Sequence, residues 1–298
     1  MPMIQLIGLL VIATVGNRAP WIVCAVYLVF IAAAAVGAAL FMDNLGNQKS
    51  DLRSMAKALK FSESWVISFL YIGTFGSFIG FSFAFGQVLQ INFLAGGATP
   101  AAAALHAAQI AFIGPLLGSI ARPLGGKLAD RIGGGKITMW TFVAMAFAAS
   151  ILVTAGTMDD NTAGVASAGI MVTFVLGFIA LFLLSGIGNG SVYKMIPAIF
   201  EAKAQSFDHM DRSEKATWSR SISGALIGFA GAVGGLGGVG INLVLRASYS
   251  SPAKSATMAF WVFLAFYIAC IAVTWFVFLR KPSTLTTDVD EAKVAVTA

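Results

Sequence analysis

One arginine stands inside a stretch that otherwise consists of small and apolar residues. Arg122 follows the segment Gly114 to Ala121, which contains no charged residue. Its planar guanidinium presents a fork of donors that can hold two oxygens of one oxyanion, which a lysine ammonium does less well. The other interpretation is a snorkelling side chain, since Arg122 stands about one turn before Gly126 at the end of the apolar stretch. The residue types alone leave an anion ligand and a snorkelling arginine equally open.

Three uncharged residues that could contact a ligand also fall inside apolar stretches. Tyr71 and Phe75 are one helical turn apart and would share one face of a helix. A phenol and a second ring on one face could flank a planar ligand, although core packing explains most such pairs in a chain with 24 phenylalanines. Asn189, between two glycines, is an amide that needs a partner on another helix or on a ligand.

The acidic residues avoid the centres of the apolar stretches: none of the thirteen lies in the middle of one. Ionisable residues at membrane depth are costly and usually functional. A pathway with an arginine and no fixed carboxylate argues against a cation pump and favours an anionic ligand. No HExxH motif, carboxylate pair or Ser/His set indicates an enzyme, and both cysteines lie in apolar runs. We therefore expect a protein that is not an enzyme and needs no cofactor or metal.

Membrane-spanning helices must position these residues. Of the 298 residues, 58% are hydrophobic and 11% charged, and the mean hydropathy is +0.85. Soluble domains carry about 25% charged residues, so a soluble globular protein is excluded. Continuous rather than alternating apolar runs predict an all-α membrane bundle. Seven runs are long enough to span a bilayer: 20–42, 65–90, 103–124, 137–157, 167–193, 222–245 and 257–279. A shorter run, 3–15, is either the end of a further helix or an interfacial segment.

The basic residues predict the orientation of these spans. Fourteen of the nineteen lysines and arginines fall in segments on one side of the membrane, and the opposite loops contain three. Because cytoplasmic loops are rich in lysine and arginine, we expect a cytoplasmic C-terminus in the inner membrane of the cell. The net charge of +6 then follows from topology, so the lipid bilayer is an expected partner and nucleic acid is not.

The segment between the third and fourth runs carries a family signature. It reads Gly126-Lys-Leu-Ala-Asp130-Arg131-Ile-Gly133-Gly-Gly-Lys136. It resembles the G-x-x-x-D-R-x-G motif of the major facilitator superfamily. We expect a loop in which Asp130 and the adjacent bases lock two helix ends during a conformational cycle.

The position of that motif implies a division of the chain into four parts. In the superfamily it lies between the second and third helices of a six-helix half. The resemblance therefore implies the end of an N-terminal half (1–42), a cytoplasmic loop between halves (43–64), a six-helix C-terminal half (65–280) and a cytoplasmic tail (281–298).

Within the superfamily, the chain is similar to the nitrate/nitrite porter family. The similarity rests on the segments 71–82, 114–126 and 188–200. A glycine-rich nitrate motif of the family is matched by Gly228, Ala232, Gly234, Gly237 and Gly238. The resemblance implies alternating-access transport of nitrate and nitrite, by exchange or by proton-coupled uptake.

The family pattern also implies roles for single residues. Arg122 would be the substrate arginine of the C-terminal half. Tyr71 would donate a hydrogen bond to the anion, and Phe75 would pack against its plane. Asn189 is a further candidate for substrate binding.

Two parts of the family pattern have no counterpart in the sequence. They are an arginine on the second helix and a first glycine-rich motif on the fifth, because the resemblance starts from within the fifth helix. We therefore expect an N-terminal half to be missing and the chain to hold half of a binding site. Two other functions stay open: a facilitator-type carrier of another small or organic anion, and a non-transporting fragment.

Overall fold

The protein is a bundle of long apolar helices. A computed structural model describes residues 7–8, 11, 21–42, 56–161, 166–208 and 210–280. Within these ranges every regular element is helical, and seven helices are long and apolar enough to span a membrane. They are α1 (Trp21–Phe41), α2 (Ser62–Ala95), α3 (Pro100–Ile132), α4 (Gly134–Asp160), α5 (Ala168–Gln205), α6 (Arg212–Tyr249) and α7 (Thr257–Leu279). The expected all-α, multi-pass membrane protein is confirmed.

Some of the expected segments cannot be compared with the structure. Most of the short run 3–15, much of the loop 43–64 and the tail 281–298 lie outside the described residues. The seven predicted spans correspond one to one to α1–α7. Helices α2–α6 extend beyond at least one predicted end, whereas α1 and α7 match their predicted ends to within one residue. The division into halves stays a prediction.

Capping residues mark where several helices begin. The Thr99 hydroxyl accepts a hydrogen bond from the Ala102 amide, and Pro100 occupies the first turn of α3. At the start of α6, Asp211 and Glu214 form a reciprocal capping box. Hydrogen bonds from the Glu214 amide and the Ser213 hydroxyl hold the pKa of Asp211 below its usual value.

The predicted loop over 126–136 is wrong in its extent. Helix α3 continues through Ile132, and α4 begins at Gly134. The single residue between them, Gly133, has φ of +101°, a conformation that favours glycine. The segment from Gly126 to Ile132 stays helical because Gly126 packs against Gly190 and Lys194 of α5.

Helix α5 occupies the centre of the bundle and contacts α2, α3, α4 and α6. Its apolar contacts are dominated by phenylalanine rings from α2, α5 and α7, with centroids 5.0 to 6.2 Å apart. These rings are Phe81, Phe85, Phe178, Phe182 and Phe263. At the far end of the same helix pair, Lys203 of α5 forms a 2.7 Å ion pair with Glu63 of α2. The helix that carries Tyr71 and Phe75 is thereby fixed against α5 both before and after these two residues.

Helix α1 differs from the others because none of its residues is buried. Trp21, Leu28 and Phe41 are among its exposed apolar side chains. The bundle that positions the candidate site therefore consists of α2–α7.

Candidate anion-binding site

Arg122 lies in a groove between α3 and α5. The groove has a volume of about 450 Å³, and its lining includes Ser119, Lys127, Tyr193 and Lys194. The Arg122 side chain is half-buried, and its Cζ atom lies 5.6 Å from the centre of the Tyr193 ring. Within the described residues, no carboxylate lies within ion-pair distance of Arg122. The lining also contains one carboxylate, Asp130, which pairs with Lys194, so the groove offers an excess of positive charge together with hydrogen-bond donors.

The backbone around Arg122 is held by glycine contacts with α5. A Cβ atom on Gly190 would overlap the carbonyl oxygen of Arg122, and one on Gly186 would overlap the carbonyl of Gly118. On α3, a Cβ atom on Gly125 would overlap the carbonyl of Ile187. Small residues let helix backbones approach this closely in a membrane. The glycines therefore fix the position of the backbone from which the Arg122 side chain extends.

Tyr71 and Phe75 stack on each other, as their spacing predicted. The ring centroids are 5.1 Å apart, with an interplanar angle of 24°. The backbone between them forms a π-helical turn, Ile72–Gly76, a feature often found at functional sites. Tyr71 is buried, and its phenol lies within electrostatic range of Arg122 and Tyr193. The stacked pair is therefore near the arginine, but neither Tyr71 nor Phe75 is among the residues that line the Arg122 groove.

The glycine-rich motif divides between two surfaces of α6. A Cβ atom on Gly234 would lie 3.0 Å from Tyr71 Cδ1 and 3.1 Å from Phe75 Cδ1. Gly237 and Gly238 likewise contact α2. Gly228 and Ala232 are exposed, and a Cβ atom on Gly228 would meet nothing within 4 Å. Of the five motif residues, Gly234 therefore contacts the stacked pair itself, Gly237 and Gly238 contact neighbouring residues of α2, and the other two are exposed.

Asn189 is buried on α5, next to Gly190. Its side-chain oxygen has no hydrogen-bond partner within the described part of the chain. A buried polar atom without a partner is costly and calls for a physical explanation. An amide keeps its shape when it is turned by 180°. The NH₂ group of Asn189 can therefore take the position of the oxygen that has no partner.

The motif at the end of α3 is joined to α5 by an ion pair. Lys194 Nζ lies 3.0 Å from Asp130 Oδ2, and both side chains are about half exposed. The sequence predicted that Asp130 and the adjacent bases lock two helix ends. The partner of Asp130 is instead Lys194 on another helix, whereas Arg131 is exposed.

Tyr193 is the aromatic residue of this groove, and the sequence pattern did not single it out. It lies four residues after Asn189 and one turn along the same helix. That spacing was the available signal, but tyrosines near helix ends are common in membrane proteins and do not by themselves indicate a site.

Comparison with known proteins finds several proteins of similar sequence. No protein-family profile matches the chain. It is 32% identical over 268 residues to the nitrate/nitrite transporter NarU of Salmonella typhimurium, covering 89% of this chain and 54% of the relative. It is 30% identical to NarU of Escherichia coli, with 89% and 53% coverage, and 28% identical to the nitrite extrusion protein of Bacillus subtilis, with 77% and 49% coverage. The chain spans about half the length of these relatives. The sequence resemblance to the nitrate/nitrite porter family is thereby confirmed, since these relatives are nitrate or nitrite transporters that align with most of the chain.

Proposed function

We propose that the chain serves the transmembrane transport of nitrate and nitrite by alternating access in the inner membrane of the cell. The observation that carries this proposal is the environment of the Arg122 side chain. It is a half-buried guanidinium in a groove, against an aromatic ring and without a carboxylate partner among the described residues. A fixed positive fork without a counter-ion suits an anion that stays charged at every physiological pH, as nitrate does.

The surrounding side chains have complementary roles in this proposal. The Arg122 fork holds two oxygens of the planar anion, and the Tyr71 hydroxyl donates to an oxygen. Phe75, stacked on Tyr71, packs against the plane of the anion. The amide of Asn189 supplies a further donor when its NH₂ group is turned inward.

The other wall of the cavity is part of the same proposal. Transporters generally bind substrate near the midplane, between two repeats. The relatives are about twice as long as their alignment with this chain. We propose that a segment equivalent to their remaining length faces the Arg122 groove and supplies the second positive clamp.

The test is nitrate uptake into proteoliposomes that contain the chain, either alone or joined to the remaining portion of the Salmonella relative. Arg122→Lys is expected to lower uptake about 10- to 100-fold, because losing one charge-assisted hydrogen bond costs about 1.5–3 kcal/mol. Arg220→Lys, which conserves charge at an exposed position of α6, is the matched control and should leave uptake unchanged.

Undiminished uptake by Arg122→Lys would remove Arg122 from the proposed site. The anion class is tested by thermal unfolding of the purified chain, since a ligand that binds the folded state raises the Tm. Nitrate is expected to raise the Tm, whereas formate and acetate at equal ionic strength are not. Equal stabilisation by the organic anions would support a carrier of another anion.

A further inference from the structure

A second cavity lies at the opposite end of the bundle from the Arg122 groove. It has a volume of about 500 Å³ and opens between the last turns of α2 and α6. Its apolar walls include Ala84, Val88 and Leu245. Its polar lining consists of Gln87, Asn242, Arg246, Tyr249 and Ser250. The cavity thus combines apolar walls with several hydrogen-bonding groups, which is the usual make-up of a site for a small ligand.

Arg246 is the basic residue of this cavity, and its side chain is exposed. Within the described part of the chain, no ion pair, side-chain hydrogen bond or cation–π contact involves it. Its place in the last turn of α6 complements the helix dipole, which explains a positive charge there. The dipole leaves the five N–H donors of the guanidinium unused, and they remain available to a ligand.

Other donors stand beside this guanidinium. The Gln87 amide and the Tyr249 hydroxyl line the same cavity. Asn242 is already committed, because its NH₂ group donates to the carbonyl oxygens of Gly238 at 2.8 Å and Gly80 at 3.4 Å. The donors open to an anion are therefore those of Arg246 and Gln87.

The carboxylates of this end lie toward Tyr249. Asp159 and Asp160 are within electrostatic range of the Tyr249 phenol, and Asp160 accepts a hydrogen bond from Ser255 Oγ at 3.1 Å. Neither lies within ion-pair distance of Arg246. An anion is therefore repelled from the Tyr249 side and favoured on the side of Gln87 and Arg246.

We propose that this cavity is a second site for a small oxyanion, in which Arg246 binds nitrate as it enters or leaves the bundle. The choice of nitrate rests on the proposed function, whereas the oxyanion chemistry rests on the guanidinium and its neighbouring donors. The Arg122 groove and the Arg246 cavity are then two anion-binding sites at opposite ends of one bundle.

The test labels the full chain in phosphate-free maltoside detergent with phenylglyoxal, which modifies arginine, and measures each labelled arginine by mass spectrometry. Nitrate is compared with chloride at equal ionic strength. Nitrate is expected to slow the modification of Arg246 several-fold while leaving the exposed Arg212 and Arg220 unaffected. In an Arg122→Gln variant, this protection of Arg246 should persist.

Three results would overturn the proposal. They are the absence of protection at Arg246, equal protection of Arg212 and Arg220, and protection by added phosphatidylglycerol but not by nitrate, which would make the cavity a lipid headgroup site. The same spectra report Arg122. Protection of Arg246 without Arg122 would refute the proposed transport site and leave this second site standing, and the converse would refute only the second site.

Discussion

At the scale of single residues, Tyr193 determines how the Arg122 guanidinium is held. The Cζ atom of Arg122 lies 5.6 Å from the ring centre, and an exposed cation–π contact contributes about 0.5–1 kcal/mol. We expect Tyr193→Leu to weaken nitrate binding about two- to fivefold, measured from the nitrate dependence of the Tm of the purified chain. Tyr193→Phe, which keeps the ring, should bind as the unmodified protein does. Equal loss in both variants would assign the effect to the hydroxyl.

Asn189 gives a second prediction at this scale. Because its side-chain oxygen is buried without a partner in the described structure, replacing the amide by an apolar group of similar size should cost little stability. We expect Asn189→Leu to keep the Tm measured without nitrate and to reduce the Tm increase caused by nitrate. The control is Ser185→Ala on the same helix, whose buried hydroxyl already donates to Phe182 O at 3.0 Å. A large drop in the nitrate-free Tm of Asn189→Leu, with the nitrate effect intact, would make the amide structural.

At the scale of helices, the α3–α5 contact depends on the absence of side chains. A Cβ atom on Gly190 would overlap backbone atoms of α3, whereas one on Gly231 of α6 would meet nothing within 4 Å. We expect Gly190→Ala to destabilise the bundle by about 1–3 kcal/mol, as overpacking does. The same change at Gly231 should be neutral or stabilising, since alanine is the better helix former. Thermal unfolding of both variants measures this, and equal Tm values would refute the close contact.

Hydropathy and run length predicted the seven helices, because crossing a bilayer imposes a simple length requirement. Helix content at 126–132 was missed because these residues are held by contacts with α5, which the local sequence does not report. The π-helical turn at Ile72–Gly76 also depends on tertiary packing, around Gly234 and Gly237.

The candidate site was predictable to a similar extent. Residue type identified Arg122, and spacing identified the stacked pair of Tyr71 and Phe75. Spacing could not show that Gly234 faces this pair while Gly228 is exposed, because that depends on the rotation of α6 in the bundle. Spacing likewise could not show that Tyr193 is the neighbour of Arg122 on α5, because that depends on how α3 and α5 pack.

At the scale of the whole molecule, the two ends of the bundle differ in charge. The turn between α3 and α4 is flanked by Lys127, Arg131 and Lys136, and the loop between α5 and α6 by further basic residues. At the opposite end, the turn between α6 and α7 lies near the carboxylates Asp159 and Asp160. Because positive loops are retained in the cytoplasm, we expect the Arg122 groove to open toward the cytoplasm and the Arg246 cavity toward the outside.

This orientation can be tested with reporters fused at two positions. Green fluorescent protein folds in the cytoplasm, whereas alkaline phosphatase is active only after export, so the two reporters give opposite signals. Fusions after Arg280, at the end of α7, should be fluorescent and lack phosphatase activity, and fusions after Ser251, in the α6–α7 turn, should show the reverse. The α3–α4 turn contributes to this bias, so replacing Lys127, Arg131 and Lys136 together by glutamine should reduce the fluorescence of the Arg280 fusion. Phosphatase activity after Arg280 in the unmodified chain would invert the orientation and exchange the sides assigned to the two arginines.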